Sequence, residues 1–489
     1  MPATLKPTTD RRKLLTTGLA AGLLTASGLS LTSRPQVGGR LRAALPGASM
    51  ADTWDARKGF GLFMAAAGQG AVFDGLTEVA ADGSLRGELA TSWQASYDAK
   101  TWVFDLRTGV KFHDGTPFDV ASVVESIRLH MDAGPKGAGW HLVSNIDTIK
   151  ANSPSQVQFT LHSGYADFPY LLSDRHLIMY PAGKIAEAMR DGIGTGLYRV
   201  AKFEAGQKFA GWRVSDHYKD GSAGWFDQIE LLAANDATQR MALLRAGRVD
   251  AAAQIDPIQA EIAADNPDLR LSNVPGNQHL ALDASNLPID AQLALKSAVN
   301  RDDVLLTGLH GYGHVGHDSP IGPFNQHYRS QSINEFDPDK ASALLNSAGL
   351  QGLGINIKAL GNVPTTLGLA LWPSLLAAGF SDSPEYHLRA QMWSGRATED
   401  WMLGANGNLG GNSAEFEVLR AQARSEFDPN IRAEHYANLQ SQIQASGPVV
   451  IPAFANFLQA ISKRIAEPTS VGNLWPMDNA RFAERWWLS

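Results

Sequence analysis

The sequence predicts a mixed α/β protein of two or three domains. Its 489 residues are more than three times the ~150 residues of a typical domain. Strand and helix signals alternate along the chain without a repeat of fixed period, which argues against a solenoid or a propeller. An apolar share of 44% and a charged share of 19% are typical of globular proteins rather than of disordered or multi-spanning membrane chains. Together these observations leave α/β and α+β architectures open.

The first forty residues differ in character from the rest of the chain. Arg11 and Arg12 precede a weakly apolar stretch, Leu14–Leu31, that is diluted by Gly, Ser and Thr. A spanning helix needs about 20 strongly apolar residues, so we interpret residues 1–33 as a cleaved twin-arginine export signal. The alternatives are a permanent N-terminal anchor and a chance arginine pair in a disordered leader. No later apolar run approaches spanning length, so we expect a soluble, exported protein.

A strand, a tight turn and an amphipathic helix are predicted next to one another between residues 101 and 131. The segment Thr101–Leu106 alternates polar and apolar residues, as a half-buried strand requires. Asp114 and Gly115 supply turn chemistry. Asp119 is a suitable N-cap for a helix whose apolar stripe begins at Val120.

Further elements show the same punctuation. Asp236 begins a helix that stops at Gly247, before the strand-like segment 248–252. Asp337 and Pro338 open another helix, which Gly349 closes. Near the C-terminus, Asp428 and Pro429 separate two helices, and the apolar run 449–452 predicts a buried strand.

Charge and cysteine content exclude several classes of function. With 42 Lys and Arg against 49 Asp and Glu, the net charge is −7, so the chain lacks the basic field of a nucleic-acid-binding protein. It contains no cysteine, which excludes disulfides, thiolate metal sites, cysteine nucleophiles and a lipidated cysteine anchor.

The sequence resembles the extracytoplasmic solute-binding proteins of peptide, nickel and opine ABC importers, family 5. The segments GELATSW (87–93) and TWVFDLRTGVKFHDGTPF (101–118) look like the signature block of that family. Later segments match in the expected order, at 194–198, 240–250, 290–301, 337–350 and 432–452. The resemblance covers essentially the whole chain after the signal.

This resemblance implies a two-lobed periplasmic binding protein of α/β class, type II-like with an extra subdomain, whose lobes close about a hinge. Lobe I would span residues 34–272, with the subdomain at about 60–185. Lobe II would span 273–462, and residues 463–489 would return to lobe I. The implied role is to bind a small solute in the periplasm and deliver it to an inner-membrane ABC permease, as a monomer without a cofactor or nucleic-acid partner.

The segment 390–401 carries the predicted ligand contacts. In peptide-binding relatives this region reads like G-W-x-x-D, and the aspartate pairs with the amino terminus of the peptide. Here Trp393 matches the tryptophan, whereas Arg396 stands at the acidic position. A guanidinium repels an ammonium and can hold a carboxylate or phosphate through two hydrogen bonds. We therefore expect a ligand with an anionic or polyhydroxylated head, such as an opine or a sugar acid.

The full set of predicted ligand residues is Trp393, Ser394, Gly395, Arg396, Asp400, Trp401 and Asn408. Several of them have a second interpretation. Arg396 could instead form an internal ion pair with Glu399 or Asp400, and those two acids could accept hydrogen bonds from ligand hydroxyls. The alternative ligands for the protein as a whole are an ordinary di- or oligopeptide and a nickel chelate.

Metal and catalytic sites are weakly indicated. His310, His314 and His317 form the only histidine cluster, and their spacing could bind nickel or zinc if the loop curled around an ion. We interpret them as part of a variable loop and predict no metal site. His113 is interpreted as a structural residue. Motifs of serine hydrolases, zinc proteases and phosphate-binding loops are absent, so we predict no enzyme activity, with a periplasmic hydrolase as a distant alternative.

Overall fold

The structure is a computed structural model that describes residues 35–59, 61–329, 334–361, 363–405 and 413–489. The export signal predicted for residues 1–33 lies outside these residues, and so does Asn408. In the described part of the chain, no helix has the length and apolarity needed to cross a membrane.

The strands, numbered in chain order, are β1 Arg40–Leu45, β2 Thr77–Val79, β3 Leu85–Gly87, β4 Ala90–Ala95, β5 Thr101–Leu106, β6 Ile146–Ser153, β7 Gln156–Leu161, β8 Tyr198–Glu204, β9 Lys208–Arg213, β10 Gln228–Ala233, β11 Ala251–Ala252, β12 Leu269–Asp283, β13 Gly313–Val315, β14 Gly354–Leu360, β15 Ser381–Asp382, β16 Tyr386–Ser394, β17 Val449–Ser462, β18 Ile465–Ala466 and β19 Trp487–Leu488.

The helices are α1 Leu62–Ala67, α2 Val120–Ala133, α3 Trp140–Val143, α4 Phe168–Leu171, α5 Ile185–Asp191, α6 Ala237–Arg245, α7 Pro257–Ala264, α8 Ile289–Ala298, α9 Arg301–Asp303, α10 Pro338–Ser347, α11 Leu367–Ala377, α12 Glu399–Ala405, α13 Ala414–Ser425, α14 Pro429–Ser446, α15 Pro476–Asn479 and α16 Phe482–Arg485.

One large sheet organises the molecule. Its strands lie in the order β15-β14-β16-β12-β17-β11-β1-β10-β9-β8, with β13 beside β17. The two long strands β12 and β17 are central and antiparallel, and their register shifts between Val274 and Gln278. On one side of this shift β12 pairs with β16, and on the other side β17 pairs with β11. The two strands therefore connect the two halves of the sheet. We call the irregular stretch of β12 between Val274 and Gln278, with the part of β17 that faces it, the crossing.

Helices cover both faces of the sheet in each half. Successive strand residues point to opposite faces, so neighbouring residues of one strand belong to different cores. In β1, Ala43 belongs to one core and Ala44 to another. In β12, Leu280 and Ala281 are divided in the same way between two further cores. Each half is thus a three-layer α/β arrangement.

A separate four-stranded sheet, β4-β5-β7-β6, packs against α2 and builds a core of its own from residues 76–179. The alternating segment 101–106 is β5, and its buried side chains are Trp102, Phe104 and Leu106, as predicted. Asp119 caps α2 by accepting a hydrogen bond from the backbone of Ser122, which confirms the predicted N-cap.

The other punctuated elements also form. Asp236, Asp337 and Asp428 each cap the helix that follows them, and the predicted buried strand at 449–452 opens β17. The strand predicted for 248–252 is shorter, at Ala251–Ala252. Its first residues differ because the Arg248 amide still bonds to the Leu243 carbonyl at the end of α6. The predicted lobe boundaries at 272 and 462 remain predictions.

Candidate functional site

The segment that carries the predicted ligand residues begins where the two halves of the sheet meet. Trp393 and Ser394 end β16 and pair with His279 and Gln278 of β12. The next residue, Gly395, lies against Asn277, where a Cβ would come within 2.5 Å of the backbone oxygen. Only glycine fits this close approach. The chain therefore leaves the sheet beside the irregular crossing and enters the space between the halves.

Arg396 is half-buried and lies on an aromatic ring. Its guanidinium carbon is 5.0 Å from the ring centroid of Trp401, and its Nε has no hydrogen-bond acceptor among the described residues. Burial lowers the pKa of Arg396, and the carboxylate of Asp174 opposes that lowering. Among the ion pairs of the described residues, none joins Arg396 to Glu399 or Asp400, and Asp400 faces Arg420 and Arg424 instead.

A narrow cavity of about 30 Å³ lies beside this segment. Its walls come from four separate stretches of the chain, namely residues 69–79, 173–175, 397–401 and 474–481. The lining residues are Gln69, Val79, Ser173, Asp174, Arg175, Ala397, Trp401, Leu474, Trp475, Asn479 and Arg481. The cavity is therefore bordered by two tryptophans and several charged side chains.

Arg175 lines the cavity, as Arg481 does, and it lies close to Arg396. Its guanidinium carbon is 4.2 Å from the ring centroid of Trp475. Burial lowers the pKa of Arg175, Asp174 opposes the change, and the positive charge of Arg396 lowers the pKa further. The two guanidiniums are thus close enough to repel each other, and each lies on a tryptophan.

Asp174 supplies the opposite charge. Its Oδ1 lies 2.7 Å from His176 Nδ1. Burial alone would raise the pKa of Asp174, but His176 and Arg175 outweigh burial and hold it well below the usual value. Sequence reasoning missed this group. The available signal is the polar run Ser173–His176, which interrupts an otherwise apolar stretch and indicates charges with a specific buried role.

The C-terminal wall has an unusual backbone. Met477, Asp478, Asn479 and Ala480 have φ of 57°, 55°, 59° and 62°, a left-handed conformation that costs about 1–2 kcal/mol per residue. Side chains hold it in place. Gln459 Oε1 accepts from the Met477 amide at 3.0 Å, and the Asn479 carboxamide accepts from Leu474 at 2.9 Å. Such strain is common where a backbone presents functional side chains, and this turn follows Trp475 directly.

The remaining predicted ligand residues fall in two places. Trp401 lines the cavity and lies 4.9 Å from the ring of His141. Asp400 is buried and faces Arg420 at 3.6 Å and Arg424 at 4.0 Å. Burial raises the pKa of Asp400, and the two arginines oppose the rise. This placement favours the ion-pair interpretation of Asp400, and its contact with ligand stays a prediction.

A group of three carboxylates has the spacing of a metal site but contains its own cation. Asp74, Glu88 and Glu484 bring ligand atoms within 4.8 Å of one another. Lys219 Nζ lies 2.9, 2.6 and 3.1 Å from these three carboxylates. The ammonium therefore fills the position that a metal ion would take.

The three histidines considered as possible metal ligands, His310, His314 and His317, do not share a common contact in the described residues. His310 faces Glu261 at 3.5 Å, and His314 packs on the ring of Phe324. Within the described residues, no metal-ligand group includes His310, His314 or His317. His113 Nε2 lies 2.8 Å from the Gly196 carbonyl oxygen, so it connects two turns of the backbone.

The sequence model described as "Bacterial extracellular solute-binding proteins, family 5 Middle" matches residues 84–372. The nickel-binding periplasmic protein of Escherichia coli K12 is 28% identical over 298 residues, which is 58% of this chain and 56% of that protein. The glutathione-binding protein of the same strain is 26% identical over 291 residues, or 57% and 56% of the two chains. These matches span a little more than half the length of each relative.

Solved structures resemble the fold over most of the chain. A binding protein from A. tumefaciens R10 in complex with agropinic acid has a TM-score of 0.79 at 22% identity and covers 92% of this chain and 99% of that one. A periplasmic binding protein from Helicobacter pylori in complex with a peptide has a TM-score of 0.79 at 20% identity and covers 93% of this chain and 99% of that one.

A Campylobacter jejuni protein in complex with Ni(L-His) has a TM-score of 0.76 at 20% identity, with 91% of this chain and 99% of that chain covered. The predicted two-lobed α/β fold is thereby confirmed. With the family match over residues 84–372, the chain belongs to the bacterial extracellular solute-binding proteins of family 5.

Proposed function

We propose that this protein is the periplasmic substrate-binding component of an ABC importer. It would be exported by the signal in residues 1–33, bind a small solute between its lobes, and release it unchanged to an inner-membrane permease. Membership of family 5 supports this role, and the relatives named above are themselves binding proteins. The ligand would carry an anionic head.

The ligand class is inferred from two guanidiniums: that of Arg175, which lines the cavity, and that of Arg396, which lies on the ring of the lining residue Trp401. Arg175 and Arg396 lie on Trp475 and Trp401, and each carries a positive charge that disfavours the other. A carboxylate or phosphate between them would relieve that repulsion and could accept paired hydrogen bonds from either guanidinium. The tryptophan faces would pack against the rest of the solute.

The size of the cavity implies movement. Sites for small ligands enclose ~300–1,000 Å³, whereas this cavity measures about 30 Å³. A solute of that class therefore needs the walls to separate before it binds. We place the hinge at the irregular crossing of β12 and β17, where the register shifts between Val274 and Gln278. Rotation there would part the segment 393–401 from Arg175 and Trp475.

Asp174 favours a second candidate, a peptide with a free amino terminus. Its carboxylate borders the cavity and could pair with an ammonium, as the acidic position of peptide-binding relatives does. Against this, Asp174 is already bonded to His176 and is flanked by Arg175. We therefore favour the anionic ligand over the peptide.

Equilibrium titration distinguishes the candidates. The protein is stripped of bound solute by reversible unfolding and titrated with agropinic acid, the peptide STSA, N-acetylated STSA and Ni(L-His). We expect binding of the anionic opine, and we expect acetylation of the peptide to leave its weaker binding unchanged.

Binding confined to the peptide with a free amino terminus would instead establish the peptide candidate. Each ligand is recovered after incubation, its molecular mass is measured by mass spectrometry, and we expect that mass to be unchanged. Recovery of a cleaved product would contradict the non-enzymatic role.

A further inference from the structure

A second group of polar contacts joins the two sides of the cleft, apart from the cavity. On one side are Ser163, Tyr165 and Asp167, which follow β7 in the part of the chain that contains the four-stranded sheet. On the other side are Thr398, Arg424 and Arg432, which belong to the region of α12–α14. We call these six residues the latch. Its role rests on the proposed two-lobed binding function.

The latch consists of direct bonds between side chains. Tyr165 Oη lies 2.8 Å from Thr398 Oγ1. Arg424 Nη2 donates to Ser163 Oγ at 2.9 Å. Arg432 forms an ion pair with Asp167. None of the six residues lines the cavity, so these bonds connect the two sides through protein atoms alone, outside the cavity.

Thr398 connects the latch to the predicted ligand segment. Its Oγ1 accepts from the Trp401 amide at 3.2 Å, and its carbonyl oxygen accepts from the Met402 amide at 3.0 Å. It therefore begins α12, and Trp401 in turn carries the Arg396 guanidinium on its ring. Only a closed molecule adds the Tyr165 hydroxyl to Thr398, so closing fixes the start of the helix that bears Trp401.

Burial makes the latch responsive to opening. Tyr165 is 5% exposed and Thr398 is 2% exposed, while Asp167 and Arg432 are also buried. Opening the cleft would exchange these bonds for water. Because hydration of a charged pair offsets much of the energy of the pair, the Arg432–Asp167 ion pair adds only part of its energy to the closed form.

We propose that the latch holds part of the ligand-free population closed and couples closure to the placement of Trp401 and Arg396. Tyr165 and Thr398 are then positioning residues of the binding site. They set the fraction of closed molecules and the rate of solute release, and they do not touch the solute.

The absence of cysteine permits a direct test. Cysteines introduced at the exposed positions Ala151 and Asn438 are the only thiols and can carry spin labels. Double electron–electron resonance then measures the distance between the two sides in the solute-stripped, full-length protein. The measurement is repeated with Tyr165→Phe, Thr398→Val and the double variant. Tyr97→Phe removes a hydroxyl from a fully exposed tyrosine and is the matched control.

We expect a short and a long distance in the unmodified protein. Loss of one hydrogen bond shifts their ratio about three- to tenfold toward the long distance. Tyr165→Phe and Thr398→Val both remove the bond between the two hydroxyls, so the double variant should shift the ratio by less than the product of the two single shifts. Tyr97→Phe should leave the ratio unchanged, and circular dichroism should show the same folded content throughout.

Two results would overturn the latch while the binding function stands. One is a ratio of short to long distances that is the same in Tyr165→Phe and Thr398→Val as in the control Tyr97→Phe. The other is a single long distance in the unmodified protein, since the latch requires closed molecules without solute. A single short distance that neither the variants nor a solute changes would overturn both the latch and the proposed opening and closing of the two lobes.

Discussion

At the scale of single residues, the account depends on Arg396. The resemblance to the peptide-binding pattern assigns it to the acidic position, which stays a prediction, and its guanidinium lies on Trp401 with Asp174 and Arg175 nearby. The sequence comparison found this residue because the substitution reverses the charge at a recognisable position. Arg175 has no such marker, and its place at the cavity depends on the fold.

The first prediction concerns this cation. Arg396→Gln removes the charge and keeps most of the side chain, so we expect the affinity for an anionic solute to fall about thirtyfold, as for loss of one charged hydrogen bond of ~2 kcal/mol. Isothermal titration measures it. Arg389→Gln on β16, seven residues earlier in the chain, is the control, since Arg389 pairs with Asp283 at the surface. Equal affinity in both variants would remove Arg396 from the ligand site.

The second prediction concerns His279, which is fully buried and packs edge-on against Phe454. Burial, with a smaller contribution from Arg396, lowers its pKa from 6.5 to about 4. The unfolded chain therefore binds a proton at this histidine below about pH 6.5 and the folded protein does not until about pH 4. The free energy of unfolding must fall with acidification across that window, by at most ~1.4 kcal/mol per pH unit.

Urea unfolding at pH 7 and pH 5 tests this linkage. His279→Leu should reduce the loss of stability between the two pH values, whatever its effect at pH 7. Other buried groups contribute equally to both proteins, so the difference in slope isolates His279. Parallel pH profiles for the two proteins would show that His279 does not titrate as its burial requires.

At the scale of elements, the crossing of β12 and β17 is the critical feature. Gly276 lies within it, where a Cβ would come 2.6 Å from the Ala455 oxygen and 3.1 Å from the Phe457 amide nitrogen. Such contacts require the backbone to shift. The two strands therefore approach each other closely at the point where we place the hinge.

The third prediction follows from that close approach. Gly276→Ala should reduce the free energy of unfolding by ~1–3 kcal/mol and should also change solute affinity, because the strands move at the hinge. Gly59→Ala is the control, since a Cβ there meets nothing within 4 Å. Chemical unfolding and titration measure the two effects. A Gly276→Ala protein with the stability and affinity of the control would place the hinge elsewhere.

The elements also show what the sequence can predict. The sequence predicts caps at Asp119 and Asp337, a helix start at Asp236 and a helix boundary at Asp428, and each of these residues caps a helix. Such positions can be predicted because capping depends on neighbours two or three residues away. The left-handed turn at 477–480 was not found, since its support comes from distant residues such as Gln459. For the same reason the sequence does not point to Trp475 and Arg175, whereas its local pattern does point to Trp401, which lines the same cavity. Ligand contact by the segment 393–401 stays a prediction.

At the scale of the whole molecule, a buried ionic network connects the C-terminal region with Asp74 and Glu88 in the N-terminal part of the described chain. Lys219 contacts Asp74, Glu88 and Glu484, and Arg481 contacts Glu88 and Glu484. Burial raises the pKa of Glu88 to about 7, although Arg481 and Lys219 oppose the rise. The network fixes the strained turn that precedes Arg481, and with it the wall that contains Trp475.

The fourth prediction is that Lys219→Met destabilises the fold strongly. Removing one partner of a buried charge group typically costs ~3–5 kcal/mol, because the remaining charges lose their compensation. Lys184→Met is the matched control, since Lys184 pairs with Asp114 at the surface, and we expect little change from it. Urea unfolding compares the two variants. Equal stability would show that the network is not required to hold the C-terminal region.

We expect the protein to retain an unmodified anionic solute between Arg175 and Arg396. Native mass spectrometry of the protein taken from its own periplasm tests this most directly. We predict a folded protein with one bound acidic solute, released unchanged on denaturation and absent from the Arg175→Gln/Arg396→Gln variant. A solute of neutral or cationic character that the double variant retains equally would contradict the account.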